Sequence, residues 1–207
     1  MVQLPEITLS GTQVRLEPLR HSHLEGLLSA ATFDRSTFSL TSVPNTAEGM
    51  EQYLQTTLAD RARGESLPFA TVDARSGQVV GSSRFCAIEH WSWPGPPPPP
   101  VPSGPDAVEI GWTWLGPTAQ RTGINTEAKL LMLRHAFETW GVRRVTLKTD
   151  ARNQRSRAAI ERLGCRPEGI LRAHRPAADG GVRDSAMYSL LSSEWPAVKQ
   201  QLLQRLR

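Results

Sequence analysis

Lysine is nearly missing from this chain. Of 24 basic side chains only Lys129, Lys148 and Lys199 are lysines, and the rest are arginines. The arginines are scattered and form no basic block, so a net charge of +4 does not describe a nucleic-acid groove. A biased codon composition or a small phosphorylated ligand accounts for the surplus equally well. Cysteine is scarce too. Cys86 and Cys165 lack metal-ligand spacing and are too few for a disulfide framework, which leaves reduced packing thiols of a cytoplasmic chain and no metal site. No apolar run approaches the ~20 residues that span a bilayer. The opening "MVQLPEITLSGTQVRLEPL" has no basic region followed by an apolar core, so no signal peptide and no membrane partner are expected.

What is present is ordinary for a globular protein: 39% hydrophobic and 21% charged residues. A length of 207 residues suits one domain with a full core, read here as residues 1–207. "QVRLEPL" alternates as a first strand. Ser22 with Glu25, and Asn45 with Glu48, have capping-box spacing before two helices. "PFATVDA" and "QVVGSSRFCAI" read as a hairpin through "RSGQ". Residues 94–105 hold half of the chain's sixteen prolines. Such a stretch cannot donate ladder hydrogen bonds, so it is expected as a stiff loop inserted between two strands. With Trp91 and Trp93 before it, it is a candidate wall for a pocket or for a homodimer contact.

"AVEIGWTWLG" then forms a strong strand, followed by a helix from about Ile124 to Trp140 with Leu130, Leu133, Ala136, Phe137 and Trp140 on its apolar face and Gly141 as its stop. "RRVTLKTD", the short helix "NQRSRAAIERLG", the strands "EGILRAHR" and "DSAMYSLL", and a closing amphipathic helix complete a mixed α/β order. The result is seven strands, much of the sheet antiparallel.

Three local features could carry chemistry. The first is the turn "AQRTGINTEAK" between strand and helix. It has neither the Gly-Lys-Ser/Thr of a Walker loop nor the three glycines of a dinucleotide fingerprint. Its main-chain N–H groups, from Arg121 through Thr122, Gly123 and Ile124 to Asn125, are candidates to converge on an anion at the helix N-terminus, although a glycine turn by itself is only a turn. The second is Glu109, the one carboxylate in its strand. Alternation places it on the face of Gly111 and Thr113, opposite Ile110, Trp112 and Trp114. It reads either as a solvated edge carboxylate or as a general base. The third is Asn153 with Ser156, a helix N-cap or a site of polar contacts to a ligand.

Taken together, the stretches "VEIGWTWLGPTAQRTGINTEAKLLMLRHAF" and "LKTDARNQRSRAAIERLGCRPEGILR" resemble the GCN5-related N-acetyltransferase (GNAT) superfamily. Within it they are most similar to the ribosomal-protein alanine N-acetyltransferase branch. Gln120 and Gly123 match the family's Gln/Arg-x-x-Gly-x-Gly/Ala turn, and Asn125 replaces its last small residue. Asn153, Ser156, Leu163 and Gly164 match the family's Asn helix, and Cys165 stands where Phe is usual.

The resemblance implies an α/β GNAT fold whose sheet is splayed between the fourth and fifth strands. It also implies acetyl-coenzyme A as cosubstrate. The pyrophosphate would sit on Gln120–Asn125, the pantetheine beside Trp112, Trp114 and Leu115, and Asn153 and Ser156 would lie near the cofactor. Acetyl would pass by direct attack to an amine acceptor, a protein N-terminus or a small molecule such as a polyamine, an antibiotic or an amino acid. Glu109 is the expected base. Many members of the family place a tyrosine just beyond the Asn helix; the stretch "GCRPEGILRAH" has none, so Ser156 is the expected proton donor to the thiolate. A non-catalytic acyl-coenzyme A binding or interaction protein is the alternative.

Overall fold

The computed structural model of the protein describes residues 4–99 and 101–207; residues 1–3, and Pro100 within the proline-rich stretch, lie outside the described residues. Eight strands form one sheet. They are β1 (Leu9–Ser10), β2 (Val14–Pro18), β3 (Ser66–Asp73), β4 (Val79–Glu89), β5 (Ala107–Leu115), β6 (Arg144–Asp150), β7 (Arg166–Pro176) and β8 (Val182–Leu191). Their spatial order is β1-β2-β3-β4-β5-β6-β8-β7. The expected count of seven misses β1, whose two residues pair with Leu16 and Arg15 at the sheet edge and are too short to leave a periodic signal. Every pairing is antiparallel except β5 with β6.

Five α-helices flank the sheet: α1 (Leu24–Thr32), α2 (Ala47–Ala62), α3 (Ile124–Arg134), α4 (Gln154–Arg162) and α5 (Trp195–Arg205). α3 continues as a π-helical turn over His135–Trp140, and Gly141 ends it in the left-handed conformation at φ 71°. One face of the sheet packs the larger core, in which Val108, Ile110, Val145 and Leu147 meet Leu130, Leu133 and Trp140, with Ile160 of α4 and Leu202 of α5. The other face packs a smaller core of Leu27, Met50, Leu54, Phe38, Ala70 and Trp114 under α1 and α2. That second core draws no residue from β6, β7 or β8.

Two expected caps are displaced. Arg20 opens a short 3-10 turn over His21–His23, so α1 starts at Leu24 without a side-chain cap from Ser22. α2 is capped by Thr46, one residue after Asn45, because Thr46 takes the extended backbone and its hydroxyl accepts from Gly49 N at 3.0 Å.

The proline-rich stretch leaves β4 and folds against the far end of α3. Ser103 Oγ donates to Thr139 O at 2.7 Å, and a Cβ on Gly104 would strike the Trp140 ring. Asp106 gathers the segment by accepting from Trp91 N (2.8 Å), Trp93 Nε1 (3.3 Å) and Arg143 Nε (3.4 Å). The segment therefore sits at the N-terminal end of β5, opposite the turn that leads into α3.

Candidate active site

The parallel pair β5 and β6 stays in register only through Ala107–Arg144, Val108–Val145 and Glu109–Thr146. Beyond Glu109 the strands part, so the main chain of residues 110–115 has a free edge facing β6. The carboxyl ends of both strands run into helix N-termini, α3 after β5 and α4 after β6. A crevice at the carboxyl ends of parallel strands, edged by helix starts, is the usual place for an anionic ligand in such sheets.

The turn into α3 is built differently from its sequence expectation. Gly123 is the N-cap at φ −69°, an ordinary helical value, whereas Arg121 carries the left-handed backbone at φ 59°. The small size of Gly123 is used by the protein itself, since an added Cβ would run into the Gln13 side-chain amide. Gln120 is also committed, as its Nε2 donates to Thr37 Oγ1 and to Leu115 O, both at 2.8 Å. The Leu115 carbonyl is thereby partly occupied.

The Thr122 hydroxyl donates to Ala119 O at 2.7 Å and accepts from Ile124 N at 3.2 Å. Ile124 N is therefore not free, which corrects the expected run of open N–H groups. The first N–H of the helix to reach a main-chain carbonyl is that of Glu127, on Gly123 O at 2.9 Å. Asn125, partly buried behind the turn, is left among the open helix-start groups.

β5 breaks its own alternation. Trp112 and Thr113 together face the single Ser83 of β4, and Trp112 adopts φ 52°. This bulge reverses the side-chain parity that simple alternation assigns. Glu109 and Gly111 do share a face, for a Cβ on Gly111 would strike the Glu109 carboxylate. Trp112 and Trp114, however, join that face instead of opposing it. Trp112 is 54% exposed and lies over the Arg84 guanidinium at 4.8 Å, while Trp114 packs edge-on against Phe38. Thr113 turns to the α3 side, where its hydroxyl meets Lys129 Nζ at 2.6 Å and Ser83 Oγ at 2.8 Å.

Glu109 is 4% exposed and forms an ion pair with Lys148 of β6. The solvated edge carboxylate is thus ruled out. Cys86 lies across from Glu109 on β4, and burial, with the Glu109 charge added, pushes its thiol up to about 12. Burial likewise pushes Cys165 up to about 12, so both thiols stay neutral, and neither is in a disulfide.

At the start of α4, Asn153 Oδ1 accepts from Ser156 N at 3.0 Å. Asn153 is therefore the N-cap, and Ser156 contributes its N–H to that cap. Tyr188, on β8, is fully buried; its hydroxyl donates to Glu161 at 3.0 Å and accepts from Arg157 at 3.1 Å. The 36–40 segment and residues 152–155 enclose a cleft of about 210 Å³, which Thr37 links to Gln120. A larger cleft of about 500 Å³ lies at the β1–β2 edge and contains none of these residues. Among the described residues no group of His, Cys, Asp and Glu could hold a metal ion.

Two participants escaped the sequence. Lys129, on α3, is 3% exposed with hydroxyls for partners, and burial drops its pKa to about 7. Glu127, in the first turn of α3, accepts from Thr12 N, Gln13 N and Val14 N at 2.7–2.9 Å and from the Thr12 hydroxyl at 2.8 Å. Burial raises its pKa, but these donors bring it below the usual range. Glu127 thus anchors the helix start to β2. An acidic residue in a helical first turn was the only signal available for it.

Three of the four non-glycine residues at positive φ among the described residues belong to this region or to the adjoining β4, namely Ala87 beside Cys86, Trp112 and Arg121; the fourth, Ala173, is on the edge strand β7. Each left-handed residue costs about 1–2 kcal/mol. Such a concentration of backbone strain points to a functional region.

Comparisons with known proteins agree with this geometry. Residues 13–166 match the acetyltransferase (GNAT) domain family. A GCN5-related N-acetyltransferase from Brucella melitensis superposes with a TM-score of 0.84 at 31% identity, covering 100% of this chain and 88% of that one. A Mycobacterium smegmatis RimJ in complex with CoA-disulfide gives a TM-score of 0.76 at 20% identity, covering 98% of this chain and 96% of that one, a likeness of fold. A Bacillus subtilis (strain 168) protein named as a ribosomal N-acetyltransferase, YdaF, is 35% identical over 91 residues. That match takes in 44% of this chain and about half (49%) of the relative's length.

Proposed function

The chain belongs to the acetyltransferase (GNAT) domain family, and from that premise we propose that it moves an acetyl group from acetyl-coenzyme A to a primary amine, by direct attack in a ternary complex. The observation that carries the reading is the parting of β5 and β6 beyond Glu109, with the starts of α3 and α4 at its mouth. A pantetheine arm is an extended chain of amides and fits the free edge of residues 110–115 as an extra strand would. The pyrophosphate belongs at the start of α3. There the residues available are Arg121, Thr122, Gly123 and Asn125, through main chain, while Gln120 holds the turn in shape and the main chain of Trp112 and Trp114 borders the arm. The RimJ structure solved with CoA-disulfide shows that a protein of this fold accommodates the coenzyme.

Acetyl-coenzyme A supplies an activated acyl group and a thiolate that leaves readily near neutral pH. The chain's own residues supply placement. An acceptor amine arrives largely as an ammonium ion, since α-amines titrate near 8 and lysines near 10.4. Glu109 provides the buried negative charge to receive it, and Lys148 occupies that place until the acceptor shares or displaces it. Ser156, with its N–H committed to the cap, keeps its hydroxyl for the departing sulfur. Most of the rate then comes from holding amine and thioester together.

The acceptor we favour is a protein N-terminal α-amine, supported by the ribosomal name of the B. subtilis relative. A polycationic small molecule would call for several carboxylates, whereas this face offers Glu109 already paired. Calorimetric titration with acetyl-coenzyme A, then thiol release with short N-terminal peptides, polyamines and amino acids, tests the reading. Absence of heat with folded protein refutes it, and heat without turnover on any acceptor leaves a coenzyme A binding protein.

A further inference from the structure

β7 is the outer strand of the sheet, and every residue from Arg166 to Pro176 is exposed except His174. That exception is constructed. Leu171 pairs with Ser185 and Arg175 with Arg183, so three residues, 172–174, face the single Asp184. The bulge is held by Ala173, at φ 48°, whose N–H donates to Asp184 Oδ1 at 2.8 Å. A strand that spends a left-handed alanine and two extra residues at one point changes the direction of a side chain there.

His174 Nδ1 is buried and has no hydrogen-bond partner. An imidazole nitrogen removed from water without a partner is costly, of the order of 1–3 kcal/mol. Asp184 O accepts from Ala151 N at 2.9 Å, so the bulge lies at the carboxyl end of β6, and the charges that act on His174 come from four strands: Glu109 of β5, Lys148 of β6, Arg175 of β7 itself and Arg183 of β8. Burial first, and then Lys148 and the two arginines, hold its pKa below the usual 6.5, with Glu109 opposing. At neutral pH the ring is therefore uncharged and able to accept a proton, within the field of a carboxylate already paired with a lysine.

We propose that His174 takes the proton the acceptor amine must lose, while Glu109, paired with Lys148, fixes where that amine sits. This rests on the acetyl-transfer reading above and narrows the expected base role of Glu109 to docking. In the step, the amine nitrogen bonds to the acetyl carbon and the carbon–sulfur bond breaks, with its electron pair going to sulfur. The ammonium proton passes to the imidazole before the attack, and the proton the nitrogen sheds on bonding carbon goes to the thiolate by way of the Ser156 hydroxyl. A neutral imidazole is a group suited to take up such a proton.

The test compares His174→Ala and Glu109→Gln with the wild type, following thiol release against pH from 5 to 9 and acetyl-coenzyme A affinity by calorimetry. The wild-type kcat/KM is expected to fall on the acid side with an apparent pKa below 6.5. His174→Ala should lose ~10²-fold or more in kcat/KM, lose that acid limb, bind acetyl-coenzyme A within about twofold of wild type, and recover turnover on adding imidazole. Glu109→Gln should keep the limb and lose acceptor affinity. His174→Gln, closer in size, repeats the measurement should the alanine variant not fold. Retention of the acid limb without His174, its loss in Glu109→Gln, or no response to imidazole overturns the proposal. A wild-type protein that neither binds nor turns over the thioester refutes instead the reading on which it rests.

Discussion

Replacing Lys129 with methionine isolates the cost of a buried ammonium beneath β5. Lys129 Nζ has the hydroxyls of Ser83 at 2.9 Å and Thr113 at 2.6 Å, and burial takes its pKa from 10.5 to about 7. A folded-state pKa below the unfolded one means that the fold disfavours the charged form. Below about pH 7 both states carry the proton and the whole cost is felt. Between pH 7 and 10.5 the unfolded chain still holds a proton that the folded chain has released, so stability rises with pH. At ~1.4 kcal/mol per pH unit, the wild type should gain about 2–3 kcal/mol from this residue between pH 6.5 and 9.

Methionine fills the same space without the charge, and Ser83 and Thr113 keep their mutual hydrogen bond of 2.8 Å. The variant should be more stable by roughly 1–4 kcal/mol at pH 6.5, with most of that advantage gone at pH 9. The buried thiols Cys86 and Cys165 act in the opposite sense. Burial raises both to about 12, so above the ordinary thiol value they cost stability as pH rises. Cys86 is common to both proteins and cancels in the difference, whereas Cys165 feels the Lys129 charge, so its thiol rises further in the variant. Urea unfolding of each protein at pH 6.5, 7.5 and 9 measures the difference. A difference that stays constant or widens with pH would refute the assignment of a depressed lysine.

Further outcomes concern the site. Glu109→Gln strips Lys148 of its partner and should raise the acceptor KM, with kcat/KM down ~10²-fold and acetyl-coenzyme A affinity unchanged; wild-type kcat/KM from pH 6 to 9 would remove Glu109 from the reaction. Ser156→Ala preserves the Asn153 cap on the residue 156 N–H, so Tm should hold while kcat falls by less than ~10-fold, as measured by thiol release. Glu127→Gln turns an amide N–H₂ toward three main-chain donors and should destabilise by roughly 2–4 kcal/mol in chemical unfolding, loosening the start of α3 and weakening cofactor binding with it.

Much of this protein was decided locally. The alternation in "RRVTLKTD" and the apolar spacing from Leu130 to Trp140 placed β6 and α3, because each pattern has one face to bury. Gly141 stopped the helix where a left-handed residue was required. The order of elements, the turn after β5 and the Asn153 cap were legible for the same reason: neighbours in sequence satisfy them.

Tertiary structure decided whatever depended on strands distant in sequence. Bulges at Ala87, Trp112 and Ala173 are invisible to a period of two, since each arises from a mismatch in register with another strand. They moved Trp112 and Trp114 to the face of Glu109, turned Thr113 toward Lys129, and shielded His174 on an otherwise exposed strand. The pairing of Glu109 with Lys148 and the hold of Glu127 on the main chain of residues 12–14 likewise join segments far apart in the chain. A linear sequence states which side chains can carry charge; only the closed sheet decides which of them face each other out of water, and there their interaction is strongest.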